Sequence, residues 1–332
     1  MRQTVVILHH PVPNNATPDD MDVLVQASSV ANALKGLGYK THIKPFALDI
    51  RKFSSLLARL KPLCVFNLVE SLDGDGRLIH LACSILDHLS VPYTGAGADA
   101  MFVTSNKVLA KRWMHLAGIP TPEWIMPGKR IDCDHPFPSR YIIKTLWEEA
   151  SIGIDEESVV DAGNLNELLG HLEKRSHKLG KQCFAEHYID GREFNLGLLA
   201  NKEGVEVLPP AEIIFDFPDD RPKIVDYRAK WVEDSIEYQG TTRSLDFSHE
   251  DEPLLEKLKL LAQKCWESFD LRGYARLDLR VDEKRNPWVL EVNTNPCISP
   301  DGGFAAASAK MGISYTEIVK RILFDTLKSL II

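Results

Sequence analysis

The sequence predicts an α/β fold: a doubly wound parallel sheet at the N-terminus, followed by two α+β units rich in antiparallel strands. Three observations predict it. Short β-branched runs alternate with helical apolar spacing through residues 1–103, the pattern of strand–helix–strand crossovers. Beyond residue 182, turn signals such as Asp190-Gly191 separate apolar runs too closely for a helical crossover, which predicts hairpins. A chain of 332 residues also exceeds what one small core organises, so three units are expected, over 1–103, 104–182 and 183–332.

In the first unit, residues 4–8 (TVVIL) form the first strand, and 21–37 carry helical spacing closed by Gly36-Leu37-Gly38. Strands are expected at 41–43 and 64–69, helices at 53–60 and 77–89, and a short fourth strand at 91–93. The second unit opens with a helix over 107–117, stopped by Gly118 and Pro120. A strand at 141–144, the loop TLWEEASIG, a strand near 158–161 and a helix over 165–174 follow. The third unit begins with a strand at 183–189, paired across Asp190-Gly191 with an antiparallel partner at 193–200. A second turn at 201–204 leads into VEVLPPAEIIF. Residues 216–246 are rich in charge and read as a long loop or lid with short strands only, and such loops are often functional. A helix near 254–269, a hairpin of 274–281 with 288–292, and an amphipathic helix over 314–332 complete the chain.

Hydrophobic residues make up 44% of the chain and charged residues 26%, as in ordinary globular proteins. A net charge of −8 argues against a nucleic-acid partner, which selects a basic face. No apolar run reaches the roughly 18 residues of a membrane span, so no membrane partner is expected. MRQTVVILHH reads as a first strand rather than a signal peptide. The six cysteines, Cys64, Cys83, Cys133, Cys183, Cys265 and Cys297, form no CxxC pair and read as buried thiols in a reducing, cytoplasmic setting.

The chemistry concentrates in PWVLEVNTNPCIS at 287–299. Strict alternation puts Val289, Glu291 and Asn293 on one face of this strand and Leu290 and Val292 on the other. On 274–281, Arg276, Asp278 and Arg280 share a face, so a hairpin brings Asp278 beside Glu291 and Asn293. Two carboxylates in one site repel, and two resolutions stand open. Either the acids pair with Arg276 and Arg280 on a solvated hairpin face, or a hard divalent cation such as Mg²⁺ takes their oxygens and keeps positions for phosphate. Lys107, at a helix start after Asn106, and Lys144, closing an apolar strand, are compact cations suited to phosphate. The loop Ala150-Ser151-Ile152-Gly153 adds backbone N–H donors. No Walker-type GxxxxGKS/T run is present, so a nucleotide would be held another way.

Over roughly residues 65–323 the chain resembles the ATP-grasp family and, within it, the D-alanine–D-alanine ligases. The resemblance is carried by VPYTGAGADAMFVTSNKVLAKRWMHLAGIPTP, by FAEHYIDGREFNLGLL and by ARLDLRVDEKRNPWVLEVNTNPCIS, whose Asp, Glu and Asn followed by Asn-Pro form a specific signature. It implies two antiparallel sheets gripping ATP. It implies that Lys107 and Lys144 contact the nucleotide and its phosphates, and that Ser151 lies in the flap that closes over them. Glu186 would meet the adenine amino group beside the backbone of His187, Tyr188 and Ile189, and Glu193 would hold the ribose. Lys230 matches a lysine that approaches the γ-phosphate, and Arg276 matches the arginine that stabilises the tetrahedral intermediate. Asp278, Glu291 and Asn293 match the ligands of two Mg²⁺ ions, with Mn²⁺ as the alternative metal. The implied reaction is ADP-forming: a carboxylate takes the γ-phosphoryl group, and an amine displaces phosphate from the acylphosphate. Such transfer needs positioning and charge neutralisation rather than a nucleophilic side chain. A homodimer is implied as well.

The amino-acid half departs from the family pattern. The first strand runs into HHPVPNNATPDD rather than a glycine- and serine-rich turn with a glutamate. Val69 stands at a histidine position, Gly302 near a carboxylate-binding serine and Trp231 at a tyrosine, while Glu148 and Glu149 make the flap acidic. Amino-acid-like substrates other than two D-alanines are therefore expected, with Glu70, Asp301 and Gly302, and also His9, His10 and Asp73, lining the altered pocket. Acidic residues there suit an amine-bearing substrate. Three other readings stay open. One is a genuine D-alanine–D-alanine ligase. Another is an ATP-binding module without turnover, which would have no reason to keep Asp278, Glu291, Asn293 and Arg276 together. The third is an NAD-dependent oxidoreductase, suggested by GAGADA at 95–100 but lacking the acid that should end a following strand.

Overall fold

The first apolar run becomes the centre of a sheet, because helices cover both of its faces. In the computed structural model, which describes residues 2–13, 16–128, 137–218 and 221–328, β1 (Thr4–His9) runs parallel to β2 (Lys40–Pro45) and β3 (Cys64–Leu68) in the order β2-β1-β3. The crossovers are α1 (Pro18–Gly36) and α2 (Ile50–Leu60). Val5 and Ile7 enter one core and Val6 and Leu8 the other, which explains an unbroken apolar strand. The fourth strand expected at 91–93 is reduced to a single bridge between Val65 and Tyr93. Pro92 has no N–H to extend the ladder, and Gly95 turns the chain at φ 85°. The helix at 77–89 divides into a short 3₁₀ turn and α3 (His80–His88). A further helix, α4 (Ala98–Ser105), precedes α5 (Lys107–Leu116), whose N-cap Asn106 accepts from the Leu109 amide. GAGADA is the turn into α4: a Cβ on Gly273 would stand 3.0 Å from the Gly95 Cα, so protein fills the space a pyrophosphate would need.

A four-stranded antiparallel sheet follows, built of β4 (Trp124–Ile125), β5 (Ser139–Thr145), β6 (Val159–Ala162) and β7 (Cys183–His187) in the order β4-β7-β5-β6. It is backed by α6 (Leu165–Leu179), which Gly180 ends at φ 61°. The larger sheet has β8 (Arg192–Ala200), β9 (Val205–Val207), β10 (Ala211–Phe215), β11 (Thr241–Ser244), β12 (Tyr274–Val281) and β13 (Pro287–Asn293), in the order β11-β10-β8-β12-β13 with β9 beside β8. The stretch 216–246 is more ordered than a lid with short strands: beside β11 it carries α7 (Tyr227–Trp231) and α8 (Ile236–Gln239). The rest of the chain adds α9 (Glu252–Ser268), α10 (Gly303–Lys310) and α11 (Tyr315–Lys328). Residues 329–332 and Cys133 lie outside the described residues; the other five cysteines are free thiols. Among the described residues no helix is long and apolar enough to cross a membrane.

Two expectations fail for physical reasons that shape the site. The hairpin across Asp190-Gly191 does not form, because β7 pairs with β4 and β5 while β8 pairs with β10 and β12. Gly191, at φ 137°, passes the chain between sheets so close to the Val281 carbonyl that a Cβ would collide with it. Alternation along β13 also breaks. Asp278 pairs with Glu291 but Leu279 pairs with Val289, leaving Leu290 as a bulge. Val289 and Val292 both enter the core, and Leu290 joins Glu291 and Asn293 at a cavity.

Candidate active site

Residues of both antiparallel sheets line one cavity of about 380 Å³. Lys107, Lys144, Ser151, Glu193, Lys230, Arg276, Asp278, Glu291 and Asn293 all reach it. Each is delivered by an ordered element except Ser151, which sits in the loop after β5 at φ 62° and donates to the Val225 carbonyl at 2.7 Å. Ala150 and Ser151 are both left-handed, so this loop is held in a strained form.

Charges are paired across the cavity. Arg276 makes two bonds to Asp278, at 2.8 and 2.9 Å, and Asn195 and Asn293 donate to the same carboxylate at 2.8 and 3.0 Å. Burial is the largest influence on Asp278 and opposes its charge, but Arg276, Lys230 and the Asn293 bond together outweigh it and hold the carboxyl below its ordinary range. Lys107 bonds Glu291 at 2.9 Å and the Glu148 carbonyl at 2.6 Å. Of the two open resolutions, ion pairing is thus present for Asp278 with Arg276, whereas Arg280 turns to Glu193 at 2.7 Å and Glu291 takes Lys107. Lys230 has no ion pair among the described residues, and burial followed by the Arg276 charge lowers its pKa. Glu149 is pushed up to about 7 by burial and by the Glu291 charge, against the pull of Lys107.

A smaller cavity of about 70 Å³ adjoins this one, sharing Lys144, Glu193 and Leu290, and is lined by Glu186, His187, Tyr188 and Ile189. Glu186 is only 1% exposed and is clamped by Lys111 at 2.7 Å and Lys144 at 2.5 Å. Burial alone would raise its pKa, yet the two lysines hold it well below the carboxylate range. His187 bonds the Ser139 hydroxyl at 2.9 Å, and Tyr188 donates to the Lys223 carbonyl at 3.2 Å. Arg280 lies over the Tyr188 and Phe215 rings and donates to the Ile189 and Lys223 carbonyls.

The residues expected around an amino-acid substrate are not gathered at the cavity wall. Glu70 accepts from Gln26 at 3.1 Å, and Gln26 also bonds Asp22 and takes the Ile298 amide. Asp22 in turn holds Ser299 at 2.9 Å and Cys297 at 3.1 Å. Burial pushes the Glu70 carboxyl up to about 8, against the Gln26 bond. His9 and His10 are buried at the end of β1, where the His9 ring meets the His10 carbonyl at 2.7 Å. Asp73 and Asp301 are exposed and stand apart from the cavity, and Gly302 is the N-cap of α10. The Asn-Thr-Asn-Pro run proves to be an anchor: Thr294 meets Thr104, and Asn295 joins Tyr274 to the Val69 carbonyl.

Sequence reasoning missed Lys111, Gln26, Asp22 and Arg243. Lys111 carried one signal, being i+4 from Lys107 on the same helix face. The other three had none. The oxygen set formed by Asp278, Glu291 and Asn293 fits a hard divalent cation: two carboxylates in direct cross-strand register and an amide already touching one of them. Among the described residues no group of three or more His, Cys, Asp or Glu has metal-ligand geometry, so an amide oxygen would be needed as third ligand.

Comparison with known proteins agrees with this architecture. Residues 130–324 match the family described as D-ala D-ala ligase C-terminus. A D-alanine–D-alanine ligase of Synechococcus is 32% identical over 267 residues, covering 78% of this chain and 75% of that one. An uncharacterized protein of Sinorhizobium fredii is 29% identical over 303 residues, covering 90% and 86%. Among solved structures, the Bacillus anthracis D-alanine–D-alanine ligase complexed with ATP superimposes with a TM-score of 0.70 at 18% identity, covering 98% of both chains. The D-alanyl-alanine synthetase A of Vibrio cholerae gives 0.73 at 16% identity, covering 98% and 99%. The fold is the ATP-grasp fold with a parallel N-terminal sheet.

Proposed function

Since the chain belongs to the D-alanine–D-alanine ligase family and is an ATP-grasp ligase, we propose that it joins a carboxylate to an amine through an acylphosphate, releasing ADP, and that its substrates are not a pair of D-alanines. One observation carries the reading: four cations, Lys107, Lys144, Lys230 and Arg276, and three oxygen-bearing side chains, Asp278, Glu291 and Asn293, surround one cavity. Phosphoryl transfer needs this arrangement of fixed charge more than it needs a nucleophile.

In this reading Lys107 and Lys144 neutralise the phosphates, exchanging Glu291 and Glu186 for the nucleotide. Ser151 and its neighbours close over the phosphates, Glu186 to Ile189 and Glu193 hold the base and ribose, and Lys230 approaches the γ-phosphate. Arg276 stabilises the oxyanion of the tetrahedral intermediate. Asp278, Glu291 and the Asn293 amide oxygen would hold Mg²⁺, which supplies charge neutralisation at the phosphates when bound. Departures from the family pattern support a changed substrate: Val69, Trp231 and Gly302 stand where a histidine, a tyrosine and a serine are expected, and Glu70 is engaged by Gln26 away from the cavity wall.

The closer reading to the relatives' printed names is a D-alanine–D-alanine ligase. Phosphate release with ATP, Mg²⁺ and a panel of D- and L-amino acids, hydroxy acids and dipeptides decides between them. Release with D-alanine alone, at a rate no other pair exceeds, sinks the changed-substrate reading. Asp278→Asn and Glu291→Gln should each cut turnover at least about 100-fold with the fold kept; full activity in either removes the metal assignment. A cytoplasmic homodimer completes the proposal, and sedimentation at micromolar protein tests the dimer.

A further inference from the structure

Lys111 is a fully buried lysine to which the reaction above gives no task. It projects from α5 one turn beyond Lys107. Its Nζ donates to the Thr121 hydroxyl at 2.8 Å and the Pro122 carbonyl at 3.4 Å, and lies 2.7 Å from Oε2 of Glu186. Lys144 holds the other oxygen, Oε1, at 2.5 Å. Glu186 itself sits on β7 between Trp124 of β4 and Ile142 of β5. Its carboxylate is therefore fixed from two sides, one oxygen to each lysine.

The two lysines are not equivalent. Lys144 lines both cavities and its side chain is 13% exposed, so it can turn from Glu186 to a phosphate. Lys111 lines neither cavity and is tied to the segment before β4. When a nucleotide draws Lys144 away, Lys111 remains on Glu186. Burial opposes the charge on both groups, so each depends on the other to stay ionised. An ionised carboxylate only accepts hydrogen bonds, whereas a protonated carboxyl also donates one. Ile142, Ile154, Ile224 and Leu290 give the small cavity an apolar lining suited to a flat ring, and its other carboxylate, Glu193, is taken by Arg280.

We infer that Lys111 is a positioning residue for the nucleobase: it keeps Glu186 an acceptor once Lys144 has moved to the phosphates, and so favours a 6-amino purine over a 6-oxo purine. The inference rests on the ligase reading above, in which the small cavity takes the base, and adds what decides which base is held. Lys111 acts through Glu186 and touches no nucleotide. An amino group donates to the carboxylate, while a ring carbonyl meets it acceptor to acceptor. A charge-assisted bond of this kind is worth roughly tenfold to a hundredfold in affinity.

The test is calorimetric titration of ADP and IDP, with Mg²⁺ and no second substrate, into wild type, Lys111→Met, Lys111→Arg and Thr121→Val. Wild type should prefer ADP by at least about tenfold. In K111M the ADP affinity should fall by about that factor with IDP little changed, so that the preference collapses, and K111R should recover part of it. In turnover, the K111M loss should fall on the KM for ATP and leave the KM of the carboxylate and amine substrates where it was. Thr121→Val, which frees the lysine from its anchor but removes neither charge, serves if K111M does not fold, and it should narrow the preference as well. A purely structural lysine would weaken both nucleotides alike or neither, and either result overturns the inference. Equal binding of ADP and IDP by wild type overturns it too, while leaving the ligase reading standing. Binding of neither nucleotide by wild type ends both, whereas a full ADP preference without turnover on any substrate pair counts against the ligase reading alone.

Discussion

Glu186 has lysine on two sides, and its own burial makes that costly to disturb. Lys111 is fully buried and Glu186 nearly so, and losing one partner of such a set leaves uncompensated charge in a low dielectric. Glu186→Gln is expected to destabilise the protein by about 3 kcal/mol or more, read as a lowered midpoint in urea. Glu70 makes a prediction of opposite sign. Its folded pKa of about 8 lies above the ordinary 4.5, so its neutral form is favoured in the fold. That contribution is fully present below pH 4.5 and is lost as pH rises through 8. Glu70→Gln should therefore gain on wild type progressively from pH 5 to pH 8 in thermal melts; parallel curves would show that Glu70 is not held neutral.

Element by element, the sequence was legible where periodicity is local. The N-terminal strands, α1, α6, α9 and the pairing of β12 with β13 follow from apolar spacing and capping residues. What was not legible was which strand edges meet. Asp190-Gly191 has the composition of a hairpin turn, yet β7 and β8 have already filled their edges with other strands. Gly191→Ala is expected to cost roughly 2–4 kcal/mol, because its φ and the Val281 carbonyl both exclude a side chain; a melt within a degree or two of wild type would show that the crossing relaxes freely. The bulge at Leu290 is likewise silent in sequence, since any apolar residue fits it. It matters chemically, because without it Val289 would share the face of Glu291.

At the scale of the whole molecule, the cations of the cavity are partly occupied by the protein's own carboxylates. Lys107 with Glu291 and Lys144 with Glu186 are pairs that a nucleotide would replace. Mg²⁺ with a non-hydrolysable ATP analogue is expected to raise the melting temperature, by about 2.7 kcal/mol of stabilisation at a hundredfold excess over Kd. Chelation by EDTA should reverse the gain and stop phosphate release. Hydrogen exchange should slow over residues 145–154, the strained loop that carries Ser151. Equal melting with and without the metal would remove Asp278, Glu291 and Asn293 from the metal role.

The sequence by itself determined the kind of protein and most of the cavity's charged side chains: Lys107, Lys144, Glu193, Lys230, Arg276, Asp278 and Glu291, with Ser151 and Asn293, could all be named before the fold was seen. Arg276, Asp278, Glu291 and Asn293 follow from strand alternation, Lys107 from a helix start and Lys144 from a strand end, which are properties of neighbours in the chain, whereas Glu193 and Lys230 were named through the family resemblance. Only the tertiary structure decided the partners. Gln26 reaches Glu70, Lys111 reaches Glu186 and Arg243 reaches Gly303 across 44, 75 and 60 residues of chain. A buried charge takes whichever opposite charge or polar group folding brings within about 3 Å, and that choice is made by packing, which no local pattern records.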